Sequence, residues 1–299
     1  MTSHLKGVIA AAVTPITADL KPDLERFAEH CLWLLDNGCD GLNICGTTGE
    51  ATSFSLAQRK AIMDRAARTL PLSRLMAGTG AAALDDAVEL TKHAAALGLA
   101  GALILPPFYY KGVDDDGIVA YVDAIVRATQ AEPIDIYLYN FPALAGVIYS
   151  PALVSRLHAA FGSRMAGLKD SSGNLDYAAE IAAISPAFRV FPSNEGILLR
   201  ARAGDFAGCI SASANINSAW CAKAFHDGDQ AALDIASRLR ALVSRGPLIP
   251  GIKAAVASLR KDSAFEALMP PLSALKEADK ASLFRDVESV IGDRQKLPA

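Results

Sequence analysis

Short apolar runs alternate with longer amphipathic stretches along most of this 299-residue chain, and that alternation constrains the fold more than any single residue does. The runs lie at residues 8–13, 41–45, 75–78, 101–105, 134–139, 165–169, 189–191 and 208–211. Each is short and bounded by turn residues, so each reads as a strand buried on both faces. Between them, stretches such as 23–36, 84–97 and 117–129 repeat apolar side chains at helical spacing. Gly38, Gly98 and Gly204 stand where a helix must end in a left-handed residue before the next strand. Eight such units predict an α/β fold with a parallel sheet, and eight is the number that closes into a (β/α)8 barrel. An open doubly wound sheet is the competitor. It normally carries a Gly-rich turn after its first strand, and here that turn is Thr14-Pro15-Ile16-Thr17. The barrel is therefore expected, over residues 1–225.

After about Ala222 the strands stop. Residues 229–243, 251–259 and 272–291 read as helices, interrupted at Gly246-Pro247, Pro250 and Pro270-Pro271. Residues 226–299 are accordingly expected to form a helical region packed on the barrel. Lys6 and the apolar residues after it have some of the pattern of a secretory leader, but Thr14-Pro15 closes the run early and a first buried strand is the reading. No stretch reaches the roughly 18 apolar residues that a membrane-spanning helix needs. A net charge of -3 with no basic cluster argues against a nucleic-acid partner. The five cysteines (Cys31, Cys39, Cys45, Cys209, Cys221) include no C-x-x-C pair and point to a reducing, cytoplasmic setting. The five histidines lack metal-ligand spacing, and no metal is expected.

In a barrel of this kind the chemistry sits at the carboxyl ends of the strands. The most unusual residue there is Lys169, a lone amine closing the apolar run Met-Ala-Gly-Leu. Burial disfavours an ammonium and favours the free amine, the form that attacks ketones and aldehydes to make Schiff bases. A lysine whose head reaches back to water is the alternative. Gly46-Thr47-Thr48-Gly49-Glu50 ends the second run and offers hydroxyls and backbone amides suited to a carboxylate, or simply a turn with satisfied backbone groups. Tyr139 ends the fifth run, as a proton relay or as a core aromatic.

Gly-Thr-Thr-Gly-Glu at 46–50, Tyr-Asn-x-Pro at 139–142 and Gly-Leu-Lys-Asp-Ser-Ser-Gly-Asn at 167–174 resemble the dihydrodipicolinate synthase/N-acetylneuraminate lyase family over essentially the whole chain. The resemblance implies a TIM barrel with a C-terminal helical region, a homotetramer or homodimer, and no metal or organic cofactor. It implies that Lys169 forms a Schiff base with a 2-oxo acid such as pyruvate and that Tyr139 shuttles protons. Thr47 and Thr48 would hold the substrate carboxylate, Thr48 also passing protons to Tyr139. Gly46, Ser171, Ser193, Glu195 and Ile210 would complete the substrate pocket. Tyr109, or its neighbour Tyr110, would reach the site of a neighbouring subunit.

Two departures bear on the substrate. Synthases of the family carry an arginine two residues after the proline of Tyr-Asn-x-Pro, to receive the carboxylate of the second substrate. Here Leu144 stands in its place, and leucine cannot make that bidentate contact. The lyases carry two adjacent acids after the seventh strand to grip sugar hydroxyls. Here Ser193-Asn194-Glu195-Gly196 supplies one. The expectation is pyruvate-yielding cleavage, or dehydration, of a 2-keto-3-deoxy sugar acid or related hydroxy-oxo acid. Lysine-biosynthetic synthase activity is the alternative, and a non-catalytic sensor of pyruvate-like ligands is the alternative of another class.

Overall fold

The computed structural model describes residues 5–292, and in it eight parallel strands form a single sheet. They are β1 (Gly7–Ala11), β2 (Gly41–Ile44), β3 (Leu75–Gly78), β4 (Gly101–Ile104), β5 (Ile136–Asn140), β6 (Met165–Asp170), β7 (Arg189–Pro192) and β8 (Gly208–Ser211). Between β1 and β5 lie α1 (Leu24–Asp36), α2 (Leu56–Thr69), α3 (Leu84–Ala96) and α4 (Asp115–Ala128). Short α5 (Pro142–Ala145) and α6 (Pro151–Phe161) follow β5, α7 (Leu175–Ala182) follows β6, and α8 (Leu198–Ala203) follows β7. Beyond β8 come α9 (Ala214–Ala222), α10 (Gln230–Val243), α11 (Leu248–Arg260) and α12 (Glu277–Ile291).

Strands pair in sequence order from β1 to β7, and β8 pairs with β1 through the register Gly7–Gly208 to Ala10–Ser211. Across the remaining seam the Ala207 N–H donates to the Val190 carbonyl at 3.0 Å. The result is a nearly closed (β/α)8 TIM barrel whose strands fall on the eight apolar runs of the sequence.

The strands are apolar on both faces because both faces are covered. Ile9, Met76, Leu103, Tyr137, Phe191 and Ile210 fill the barrel, while Val8, Leu42, Ile44, Ile104, Leu138 and Leu168 pack outward under the helices. The Tyr137 ring fits only because positions 101 and 167 lack side chains. A Cβ on Gly101 would lie 2.8 Å from the ring, and one on Gly167 would lie 3.0 Å from it. Helix starts follow from local chemistry: the side chains of Asp23, Ser55, Asp114, Ser150 and Asp229 each accept a backbone N–H of the first turn, an interaction of about 1 kcal/mol apiece. Gly38, Gly98 and Gly204 take φ of 97°, 76° and 108° at the helix ends they were expected to close.

Beyond β8, two helix starts lie three or more residues from expectation. α11 starts at Leu248 rather than 251, because Pro250 sits in its first turn, where a missing N–H removes no helical bond. α12 starts at Glu277 rather than 272, after the Pro270-Pro271 pair and an irregular segment. The helices beyond β8 share the barrel's outer core, with Leu239, Val256, Leu283 and Val287 in one apolar cluster with Val8 and Leu42. Among the described residues no helix is long and apolar enough to cross a membrane.

Candidate active site

The loop after β2 is bracketed by two non-glycine residues in the left-handed region, Cys45 at φ 51° and Glu50 at φ 56°. Such a conformation costs an L-residue roughly 1–2 kcal/mol and persists only where surroundings enforce it. The enforcement is visible at Glu50. Its Oε1 accepts from Lys253 Nζ at 2.5 Å and its Oε2 accepts from the Met269 N–H at 2.7 Å. Within the loop the Glu50 N–H donates to the Thr47 carbonyl and the Ala51 N–H to that of Gly46. The tight turn leaves no room at position 46, where a Cβ would meet Asn43 Oδ1 at 2.6 Å. Thr47 and Thr48 are thereby held at the barrel mouth, and among the described residues no protein group accepts from or donates to either hydroxyl.

Tyr139 and Lys169 are register partners on adjacent strands, so both side chains enter the barrel from the same level. The lock that fixes this register is a pair of residues from the two motifs. Asn140 Nδ2 donates to Asp170 Oδ1 at 2.8 Å, and the Ser171 N–H donates to the Asn140 carbonyl at 2.8 Å. Asp170 also accepts from the N–H and hydroxyl of Ser172, and its carbonyl accepts from the Ser193 N–H of the next strand end. Gly173, at φ 79°, then turns the chain so that Asn174 caps α7. Sequence reasoning assigned Asn140 and Asp170 no role. Their place beside Tyr139 and Lys169 in the two motifs was the available signal.

Lys169 is 4% exposed and its Nζ lies 4.2 Å from the centre of the Tyr139 ring. Among the described residues no carboxylate forms an ion pair with it. Tyr139 is also 4% exposed, and its hydroxyl accepts from Ser171 Oγ at 3.4 Å. No hydrogen bond joins it to Thr48, so the proton path expected between those two is not a direct contact. Thr47, Thr48, Tyr139, Lys169, Ser171 and Ser193 line one cleft of about 400 Å³ with Ile210 beneath. Its outer wall comes from Leu144 and from α10, α11 and the segment before α12, through Arg240, Leu248, Ile249 and Leu272.

Of the expected residues, Gly46 and Glu195 do not line this cleft, nor does Tyr109, whose expected place is the site of a neighbouring subunit. Gly46 contributes only the turn beneath it. Tyr109 projects from the β4–α4 loop, as does Tyr110, and both are more than two-thirds exposed, at 73% and 71%. Glu195 is fully buried behind the cleft wall, because its carboxylate is consumed by protein partners: Ser213 Oγ, Asn217 Nδ2 at 3.1 Å and Arg240 Nη1 at 2.8 Å. Wholly buried, it presents no oxygen to a sugar hydroxyl in the cleft. Conversely, Arg240 was missed, since nothing in its helical pattern distinguishes it from a solvated surface arginine. The five thiols are free and buried, and burial pushes those of Cys39 and Cys45 up to about 12, far from a nucleophile's range. Among the described residues no group of three or more His, Cys, Asp or Glu is placed to hold a metal ion.

Residues 4–289 match the family model described as the dihydrodipicolinate synthetase family. An uncharacterized DapA-like lyase of Chloroflexus aurantiacus is 34% identical, over 96% of this chain and 97% of its own length. The 4-hydroxy-tetrahydrodipicolinate synthase of Agrobacterium fabrum is 31% identical, over 93% of this chain and 96% of its own. Among solved structures, dihydrodipicolinate synthase from Agrobacterium tumefaciens superposes with a TM-score of 0.90 at 28% identity, covering 96% of this chain and all of that one. YagE of E. coli, solved in complex with pyruvate, superposes with a TM-score of 0.86 at 27% identity, over 96% of this chain and 98% of its own.

Proposed function

The chain belongs to the dihydrodipicolinate synthetase family, and from that premise we propose that this class I lyase works through a Schiff base between Lys169 and a 4-hydroxy-2-oxo acid that yields pyruvate. One observation carries the reading: Lys169 is a buried amine with no ionic partner among the described residues, beside a phenol and open hydroxyls. The pyruvate complex of YagE supports pyruvate as the reacting fragment.

The chemistry follows from the residues. The amine adds to the C2 carbonyl and Tyr139 gives its proton to the departing hydroxyl, so that water leaves, an iminium that draws electrons remains and Tyr139 is left as a phenolate. Tyr139 accepts the proton of the C4 hydroxyl as C4 becomes an aldehyde carbonyl. The C3–C4 bond breaks, and its electron pair forms an enamine with C2 and the nitrogen. Tyr139 or a group it bonds to returns a proton to C3, and water hydrolyses the iminium to pyruvate and free Lys169. Dehydration starts from the same iminium, with loss of a C3 proton and of the C4 hydroxyl as water. Thr47 and Thr48 hold the C1 carboxylate, and Ser171 orients the Tyr139 hydroxyl.

The test is covalent. Pyruvate with borohydride is expected to add one reduced pyruvate mass per chain on Lys169, and Lys169→Ala to abolish it. Wild-type protein that binds pyruvate and stays unmodified would falsify the Schiff-base reading in favour of a ligand sensor. The synthase reading is less favoured because Leu144, 59% exposed on the cleft wall, stands where the family's carboxylate-binding arginine would be. Tyr109, Tyr110, Leu144 and Ile148 are exposed beside the mouth, a patch suited to a second copy in a homotetramer or homodimer. Sedimentation of the native chain tests that. The free, buried thiols fit a cytoplasmic protein.

A further inference from the structure

The cleft around Lys169 is lined by two basic side chains, Lys169 and Arg240, and by no carboxylate. We infer that Arg240 is a receptor for a second carboxylate, so that the substrate is a 2-oxo diacid rather than a singly charged sugar acid. The inference rests on the Schiff-base reading above, which fixes one end of the substrate at Lys169 and the paired threonines of β2.

Arg240 comes from α10 and stands over the ends of β7 and β8. All its hydrogen bonds to the described residues use one nitrogen: Nη1 donates to Glu195 Oε2 at 2.8 Å, Ser211 Oγ at 3.2 Å and Ser213 Oγ at 3.4 Å. Nε and Nη2 have no acceptor among the described residues, and the side chain is 31% exposed. Glu195 lies wholly buried behind it and is itself held by Ser213 and Asn217. The guanidinium is thus aimed in advance, with little freedom to lose when an anion arrives. The pair is formally neutral, but its acid is wholly buried while the arginine, with Nε and Nη2 unpartnered among the described residues, is itself one of the residues lining the cleft. A planar fork of that kind matches a carboxylate.

The same lining discriminates among anions. Leu144, Phe141, Leu248 and Leu272 offer nothing to the hydroxyls of a long sugar chain. The absence of an acid among the lining residues also leaves the ammonium of an amino-acid aldehyde without a partner. A short 4-hydroxy-2-oxo diacid fits both ends, its C2 carbonyl at Lys169 with the C1 carboxylate at the paired threonines, and its second carboxylate at Arg240. Its retro-aldol cleavage breaks C3–C4 as above and leaves an aldehyde that bears the second carboxylate.

The experiment uses a matched five-carbon pair that differs only at the far end: 4-hydroxy-2-oxoglutarate, and the 2-keto-3-deoxy acid ending in a hydroxymethyl group. Both release pyruvate. The wild-type kcat/KM is expected to favour the diacid, and the preference to shrink about 10- to 100-fold in Arg240→Met/Glu195→Gln, chiefly through KM, the scale of a lost charge-assisted pair. The double variant leaves no buried carboxylate unpaired, and Arg240→Lys is expected to fall between. A flat wild-type ratio, or equal loss on both substrates in the variants, overturns the assignment and leaves Arg240 as a neutraliser of Glu195. Borohydride trapping of pyruvate reads the Schiff base separately. Adduct with a flat ratio sinks the Arg240 receptor alone. Without adduct the lyase reading fails, and calorimetry with 2-oxoglutarate against 2-oxopentanoate decides the receptor. Tighter diacid binding that is lost in the double variant supports it, and equal binding overturns it.

Discussion

Lys169 and Lys253 are both buried lysines on the same side of one barrel, yet they do opposite things. Lys253, on α11, is fully enclosed and donates to Glu50 Oε1 at 2.5 Å and to the Thr14 carbonyl at 3.0 Å. Burial pulls its pKa down while Glu50 opposes that pull. Lys169, on β6, has a π face and a cleft instead of a carboxylate. A buried lysine with a counter-ion is committed to structure, here to holding the strained Glu50 end of the Thr47-Thr48 loop. One without a counter-ion is free for chemistry. The partner, not the burial, separates the two.

The comparison can be broken most severely at the paired site. Lys253→Met strands the Glu50 carboxylate in the core and is expected to cost about 3–5 kcal/mol, seen as a lowered denaturation midpoint. Adding Glu50→Gln is expected to recover part of that loss. Lys169→Met strands no charge and is expected to leave the midpoint within about 1 kcal/mol of wild type while abolishing the pyruvate adduct. Comparable destabilisation by the two lysine variants would erase the distinction drawn between them.

Next in size is the group beside the free amine. Tyr139→Phe keeps the ring 4.2 Å from Nζ but loses the hydroxyl. The trapped adduct is expected to persist while pyruvate release slows by about 10²-fold, the scale of a lost proton-transfer group. Turnover that survives the change reduces Tyr139 to packing.

The smallest effect is expected at the wall. Leu144→Arg restores the family's basic residue on a half-exposed helix, so a gain of about tenfold in pyruvate condensation with aspartate semialdehyde is expected, from a low starting rate. Efficient condensation by the unaltered protein would instead return synthase activity to first place.

How legible these features were depends on whether each is local. The strands were readable because a strand buried on both faces is an apolar run, whatever it pairs with. The closing glycines at 38, 98 and 204 were readable because a left-handed helix end is a single-residue requirement. That Lys169, Tyr139 and the two threonines would meet at one cleft was readable because all stand at strand ends, and strand ends can be counted. The start of α11 was misplaced because the sequence shows a proline but not whether its N–H would have had a partner.

By itself the sequence determined the barrel, the strand ends and the residue types set at its mouth, since each follows from periodicity or from a residue's own chemistry. Tertiary structure alone decided which charges are spent and which are free. Glu195 reads as a substrate ligand until Arg240, Ser213 and Asn217 are seen to occupy it. Lys253 reads as an ordinary helix lysine until Glu50, from the far end of the chain, is found beside it. Arg240 reads as surface until α10 folds over the cleft. Burial is set by elements remote in sequence, and a charge acquires its meaning only from the neighbours that burial brings within a few ångströms.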